Sequence, residues 1–202
     1  LSKNLSESGL TIISGLAYGV DILAHQEAYQ HEGGTIAVLG SGFMNIYPQQ
    51  HKKHIKNICE NGCIITEFTM YTDPKPYHFP QRNRILSGLS LGTIVVEASV
   101  KSGSLITGRM AMEQGRSVMA VPYNPMSPMS GTNKLIKDGA VVVYPTDSGY
   151  TLGCHLGDKK ALERICQIRN IDMDHDFALV CRDLSELSEY AKVDNTAFRL
   201  MK

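Results

Sequence analysis

FPQRNRILSGLSLGTIVVEASVKSGSLITGRMAMEQG, residues Phe79 to Gly115, decides the fold. It passes from a helical segment (Asn83 to Leu91) through a β-rich run (Thr93 to Glu97) and a Lys-Ser-Gly-Ser turn (Lys101 to Ser104) into a second helix (Leu105 to Gln114). A further β-rich run, Ser117 to Val121, follows at once. Strand, turn, helix and strand in that order form the repeating unit of a parallel sheet covered by helices. The order continues outward. Strands are expected at Thr11 to Ser14, Thr35 to Leu39, Cys63 to Thr66 and Val141 to Val143, with helices near Tyr18 to His31, Gln49 to Asn61 and Asn133 to Lys137. The expected class is α/β, a mostly parallel sheet flanked by helices. Gly15, Gly40, Gly42 and Pro122 stand just after strand ends, on the edge where such sheets place their ligands.

Composition bounds the possibilities. At 202 residues the chain suits one substantial domain with a small appendage. Its hydrophobic share of 43% is ordinary for a globular protein, and no apolar run approaches a membrane span. Twenty basic and twenty acidic side chains balance, so a polyanion would have to be held by a local patch. The odd number of scattered cysteines (Cys59, Cys63, Cys154, Cys166, Cys181), with no signal-peptide pattern, favours reduced thiols and a cytoplasmic location. Cys59 and Cys63 lack a second Cys or His pair at zinc spacing, so no metal is expected. The chain opens inside a helical pattern, so an upstream segment is expected to have been removed.

A boundary is expected near residue 146. Beyond Tyr144, PTDSGYTLGCHLGD carries turn formers and no clear strand, and helical patterns resume at Lys159 to Ile168 and Asp183 to Tyr190. A break at Lys192 to Asp194 precedes a helical start capped by Asp194 or Asn195, as in a helical hairpin or a helix-turn-helix piece.

Three segments carry chemistry. In SGLAYGVDILAH, Gly15 permits a tight turn between a strand ending at Ser14 and a helix, and the backbone of Ser14, Gly15 and Leu16 can approach a phosphate or a base. Asp21 and His25 share one helix face, a spacing more often structural than catalytic. Around Asn83, Arg82 lies on the face of Ile85, Leu86 and Leu89 while Arg84 points roughly the other way, so one is expected to bind and one to brace. Phe79, Tyr77 and His78 offer faces for base stacking. Lys101, Ser102, Gly103 and Ser104 join a mobile cation to the free amides of a helix start, with Thr107 one turn on, an arrangement suited to phosphate. Arg116 reads as a solvated or dipole-compensating charge, and Met110, Met112 and Met119 as core. Gly40 to Gly42 fails the dinucleotide spacing, since Asn45 stands where the third glycine belongs, and no cofactor is expected.

SGLAYGVDILAH, GGTIAVLGSGFMNIYP, the ITE strand end, HFPQRNRILSGLS, VVEASVKSGSLITGRMAMEQGRSVMAVP and GTNKLIKDGA, in this order, closely resemble the DNA-processing protein A (DprA or Smf) family over Ile12 to Val143. The resemblance implies a Rossmann-like doubly wound domain, without enzymatic activity, that binds single-stranded DNA, forms a homodimer and helps load the RecA recombinase in natural transformation. It implies a DNA pocket from Ser14 to Tyr18, Phe79 to Arg84 and Lys101 to Ser104, and a winged-helix counterpart for the tail. Tyr18 stands where many members carry a basic residue, so a phosphate contact there is expected to give way to stacking or to be lost. The strand and Gly-rich turn that precede the first helix in members are missing from this sequence. The alternative is a nucleotide sensor or phosphoribohydrolase-like enzyme on the same type of sheet, but SGSLIT lacks the glutamate those enzymes resemble each other in.

Overall fold

The computed structural model describes residues 1–124, 126–128, 130–147, 149–181, 186 and 190. It divides into two compact units, Leu1–Arg169 and Asn170–Lys202. The first opens with α1 (Ser2–Glu7), β1 (Ile12–Ser14), α2 (Val20–Ala28) and β2 (Thr35–Val38). Two 3-10 turns, Phe43–Asn45 and Gln49–His54, lead to α3 (Ile55–Glu60) and β3 (Gly62–Ile65). Then come α4 (His78–Leu89), β4 (Gly92–Val95), α5 (Gly103–Glu113), β5 (Ser117–Ala120), α6 (Gly131–Lys137), β6 (Val141–Thr146), β7 (Gly149–Gly153) and α7 (Lys159–Arg169).

The strands form two ladders, β1-β2-β3 and β4-β5-β6-β7. All pairings are parallel except β6 with β7. Each ladder has its own core. Leu16, Ala37, Leu39, Ile46 and Ile58 fill the first; Val95, Leu105, Ala111, Val118, Ala120 and Leu135 fill the second, with Met112 packed against it. Burial of these aliphatic side chains, each contributing roughly 1.5–3 kcal/mol, is what makes both halves hold.

The expected order of elements stands, with three corrections. The helix around Arg82 runs from His78 to Leu89 rather than from Asn83 to Leu91, and Pro80 sits in its first turn, where a missing N–H costs nothing. Arg82 and Asn83 therefore lie in its second turn and do not open it. The segment from Gln49 starts as a 3-10 turn before becoming helical. Residues 145–153, read as turn without strand, form a hairpin, with Val143 opposite Leu152 and Thr146 opposite Gly149. That hairpin and α7 carry the first compact unit to Arg169, beyond residue 146. In the second unit, apart from Glu186 and Tyr190, the expected helix Asp183 to Tyr190 and the start near Asp194 or Asn195 lie outside the described residues.

Candidate nucleic-acid interface

α4 ties the two halves together through two adjacent side chains. The Arg82 guanidinium, 3% exposed, donates from Nη1 to the Gly15 carbonyl at 2.9 Å and to the Val38 carbonyl, and from Nε to Asn83 Oδ1 at 3.3 Å. Asn83 in turn donates from Nδ2 to the Gly103 carbonyl at 3.4 Å. One residue pair thus spans from the turn after β1 to the turn after β4. The three segments singled out in the sequence meet on this helix.

Arg82 is the brace and not an exposed phosphate ligand. Burial lowers its pKa, an effect opposed by the Asp21 carboxylate, and a guanidinium stays charged at neutral pH all the same. Gly15 has to be glycine here, since a Cβ would stand 2.6 Å from Arg82 Nη2. Arg84 points away and pairs with Glu67 at the surface.

The turn after β1 is tightly bound to its surroundings. Gly15 N–H and Ala17 N–H both donate to Asp21 Oδ2, at 3.0 and 3.2 Å. Leu16 sits at φ +58°, its side chain fully buried, and its carbonyl accepts from His51 Nδ1 at 2.8 Å. The Gly15 amide expected to meet phosphate is therefore already bonded to a carboxylate. His25, beneath the turn, is fully buried, with Nδ1 2.6 Å from Thr35 Oγ1. Thr35 Oγ1 donates to the Ile12 carbonyl, so His25 Nδ1 must carry the proton. Burial holds the His25 pKa at about 4 against an ordinary 6.5, with Asp21 opposing the shift. It is a neutral, structural histidine at physiological pH.

The turn after β4 is open. Ser102 caps α5, its Oγ accepting from Ser104 N–H at 3.2 Å, while Thr107 Oγ1 donates to the Gly103 carbonyl at 3.4 Å. Lys101, Gly103 and Ser104 are exposed, and a Cβ on Gly103 would meet nothing within 4 Å. Among the described residues no carboxylate lies within ion-pair distance of Lys101.

Beside the turn after β1 lies an aromatic surface. Tyr18 is 57% exposed; its ring meets His51 edge-on at 5.1 Å and Tyr47 at 6.3 Å, and its hydroxyl donates to Gln50. Tyr47 leans on Phe79 at 5.7 Å, and these two rings with Pro74 and Pro76 line an open depression of about 440 Å³. Tyr77 is exposed, whereas His78 is buried and stacked on Phe68 at 4.2 Å. Sequence reasoning did not single out Tyr47 as a surface ring; an aromatic just before Pro48, at the end of the GSGFMNIYP segment, was the available signal.

That GSG turn is closed by packing. Phe79 lies against Gly40, where a Cβ would come within 2.8 Å of the ring, and Gly42 N–H donates to the Thr72 carbonyl at 2.9 Å. Arg116, read as a solvated or dipole-compensating charge, is half-buried and donates to the Gly88 carbonyl at 2.8 Å, compensating the C-terminal end of α4 rather than that of its own helix. No group of three or more His, Cys, Asp or Glu among the described residues could hold a metal ion. No helix among them is long and apolar enough to cross a membrane.

Comparison with known proteins places this geometry. Protein Smf of Escherichia coli strain K12 is 48% identical over 143 residues, covering 70% of this chain and 38% of Smf. DNA processing protein A from Helicobacter pylori, whose structure describes a unique single-stranded DNA binding mode, aligns at 33% identity and TM-score 0.65 over 70% of this chain and 65% of that one. The chain thus spans half or less of the length of the first curated relatives it matches. Residues 134–202 match a second family, described as telomere recombination, and YciO of Escherichia coli K12 is 56% identical over 82 residues, 40% of each chain. The two matches overlap on α6, β6 and the start of β7. Residues 1–151, which hold both turns and the helix that joins them, match the family described as DNA recombination-mediator protein A, and the chain belongs to that family.

Proposed function

We propose that this chain is a non-enzymatic, single-stranded DNA-binding mediator of recombination, with the strand lying across the turn after β1, the start of α4 and the turn after β4. The observation that carries this reading is the Arg82–Asn83 link, which fixes both turns to one helix. Lys101 and the Gly103 amide supply the phosphate contacts, with the Ser102 cap, which takes up the Ser104 N–H, and Thr107 shaping the helix start. Phe79, Tyr47 and Tyr18 supply faces on which bases stack. Ser14, Gly15, Leu16 and Asn83 shape the groove, Arg82 lends positive charge from beneath it, and Arg84 lies at its margin. Assistance to RecA loading during DNA uptake, a homodimeric state and a cytoplasmic location complete the reading. We place the DNA-binding function within residues 1–146, with β7 and α7 completing the same compact unit and the residues from Asn170 on as the appendage.

Fluorescence polarisation with labelled oligo-dT, competed by duplex DNA and by mononucleotides, tests it. Binding should weaken steeply with salt, and Lys101→Ala should lower affinity for all sequences while reducing the salt slope by about one. Salt-independent binding, or preference for duplex, would refute the reading. RecA nucleation on oligo-dT, measured with and without the protein, tests the mediator step.

A further inference from the structure

The turn after β1 looks like an anion site that the protein fills itself. Two N–H groups flanking a left-handed residue form a concavity for anions. Here Gly15 N–H and Ala17 N–H converge on one oxygen, Oδ2 of Asp21. The residue between them, Leu16, holds φ +58° although its side chain is branched and fully buried. The two carbonyls of the turn are also engaged, that of Gly15 by Arg82 and that of Leu16 by His51. Asp21 lies in the first turn of α2, whose N-cap, Gly19, has no side chain to cap it. The carboxylate reaches back to the turn instead.

We propose that Asp21 is a positioning residue for DNA binding: its carboxylate occupies the amide concavity of residues 15–17, holds Leu16 left-handed and so fixes Tyr18 at the groove, leaving phosphate uptake to Lys101 and the Gly103 amide. This rests on the single-stranded DNA reading above. It also divides the work between the two turns. The turn after β1 acts through shape and through the ring of Tyr18, and the turn after β4 through the charge of Lys101 and the amide of Gly103.

The test is oligo-dT affinity across a salt series for wild type, Asp21→Ala and Asp21→Asn, with thermal melts of each. Asp21→Ala should lose roughly tenfold in affinity at an unchanged salt slope, because no phosphate contact is removed. Asp21→Asn keeps an acceptor oxygen without the charge and should return to within about twofold of wild type. An Ala variant that binds as well as wild type, or binds more tightly with a steeper slope, would overturn the inference, since the vacated amides would then be collecting phosphate. A lowered melting temperature with unchanged affinity of the folded protein would overturn it too. Should the Ala variant not fold, amide shifts of the wild type on adding oligo-dT decide: they should move at Gly103 and Ser104 and stay at Gly15 and Ala17. The reverse pattern refutes it. A wild type that does not bind oligo-dT at all would sink the DNA reading itself.

Discussion

The turns after β1 and after β4 use the same few residue types, Ser-Gly in one and Ser-Gly-Ser in the other, each leading from a strand end into a helix. They finish opposite in character. In the first, glycine makes room for a buried guanidinium and the amides are bonded to Asp21; in the second, glycine faces open space above a cap made by Ser102. The difference comes from what lies below each turn. Arg82, rooted in α4, presses up under Gly15, whereas Asn83 reaches only the carbonyl side of Gly103 and leaves its upper surface free. A closed turn and an open one are made from nearly the same letters.

The sharpest way to break this contrast is to remove the shared brace. Arg82→Met leaves the carbonyls of Gly15 and Val38 without their donor in a buried setting, and should cost about 3–5 kcal/mol in urea unfolding, near the upper end for a single substitution. Arg84→Met should change stability by less than about 1 kcal/mol, because its pair with Glu67 is a surface one. A loss at Arg82 no larger than that at Arg84 would mean that the frame does not depend on the brace.

A second prediction concerns pH and the frame alone. His25 is held neutral in the folded protein with a pKa of about 4, while its ordinary value is 6.5. Between those two values the unfolded chain takes up a proton that the folded one refuses, so stability is complete above pH 6.5 and falls as pH drops towards 4. From pH 7 to 4.5 this contribution should lower unfolding free energy by roughly 2–3 kcal/mol. His25→Leu should remove that part of the slope, which urea titrations of both proteins at the two pH values would measure. Equal slopes would show that the histidine beneath the turn is not the group responsible.

How much of this could be read from the sequence follows from which interactions are local. The parallel ladders and the order of helices were legible because apolar runs such as Thr35–Val38 and Ser117–Ala120 repeat with turn residues between them. The start of α4 was placed too late, at Asn83, because the three residues around Pro80 carry no apolar periodicity of their own, although a proline is at home in a first helical turn. Strand β7 was missed because its pairing depends on β6, and Gly149 and Gly153 at its ends read as turn. At the site, the three segments were identified and Arg84 was expected to point away from Arg82. Arg82 was placed on the apolar face of its helix, but its partners were not legible, since the carbonyls of residues 15 and 38 lie far along the chain. The role of Asp21 was hidden for a related reason: an aspartate in a first helical turn has a sufficient local explanation in the helix dipole. Its bonds to Gly15 and Ala17 require the backbone to fold back.

The smallest effect separates the two turns most cleanly, because it makes the same change in both. Gly15→Ala puts a methyl group 2.6 Å from Arg82 Nη2. The guanidinium is held on two carbonyls and against Phe79, so it cannot swing aside without losing those bonds, and overpacking of this kind costs about 1–3 kcal/mol. Gly103→Ala adds the same methyl group where nothing stands within 4 Å, at the first residue of α5. There the alanine only restricts the unfolded chain, and stability should rise by a few tenths to about 1 kcal/mol. Oligo-dT binding should respond in the other sense: at position 103 the new methyl covers the amide surface proposed to receive phosphate, so affinity should drop although the fold is firmer. Paired urea unfolding and polarisation titrations measure both quantities. Opposite signs at position 103, more stable yet weaker binding, are the outcome that a frame and a receptor require; a Gly103→Ala variant that is more stable and binds equally well would remove the receptor from that turn.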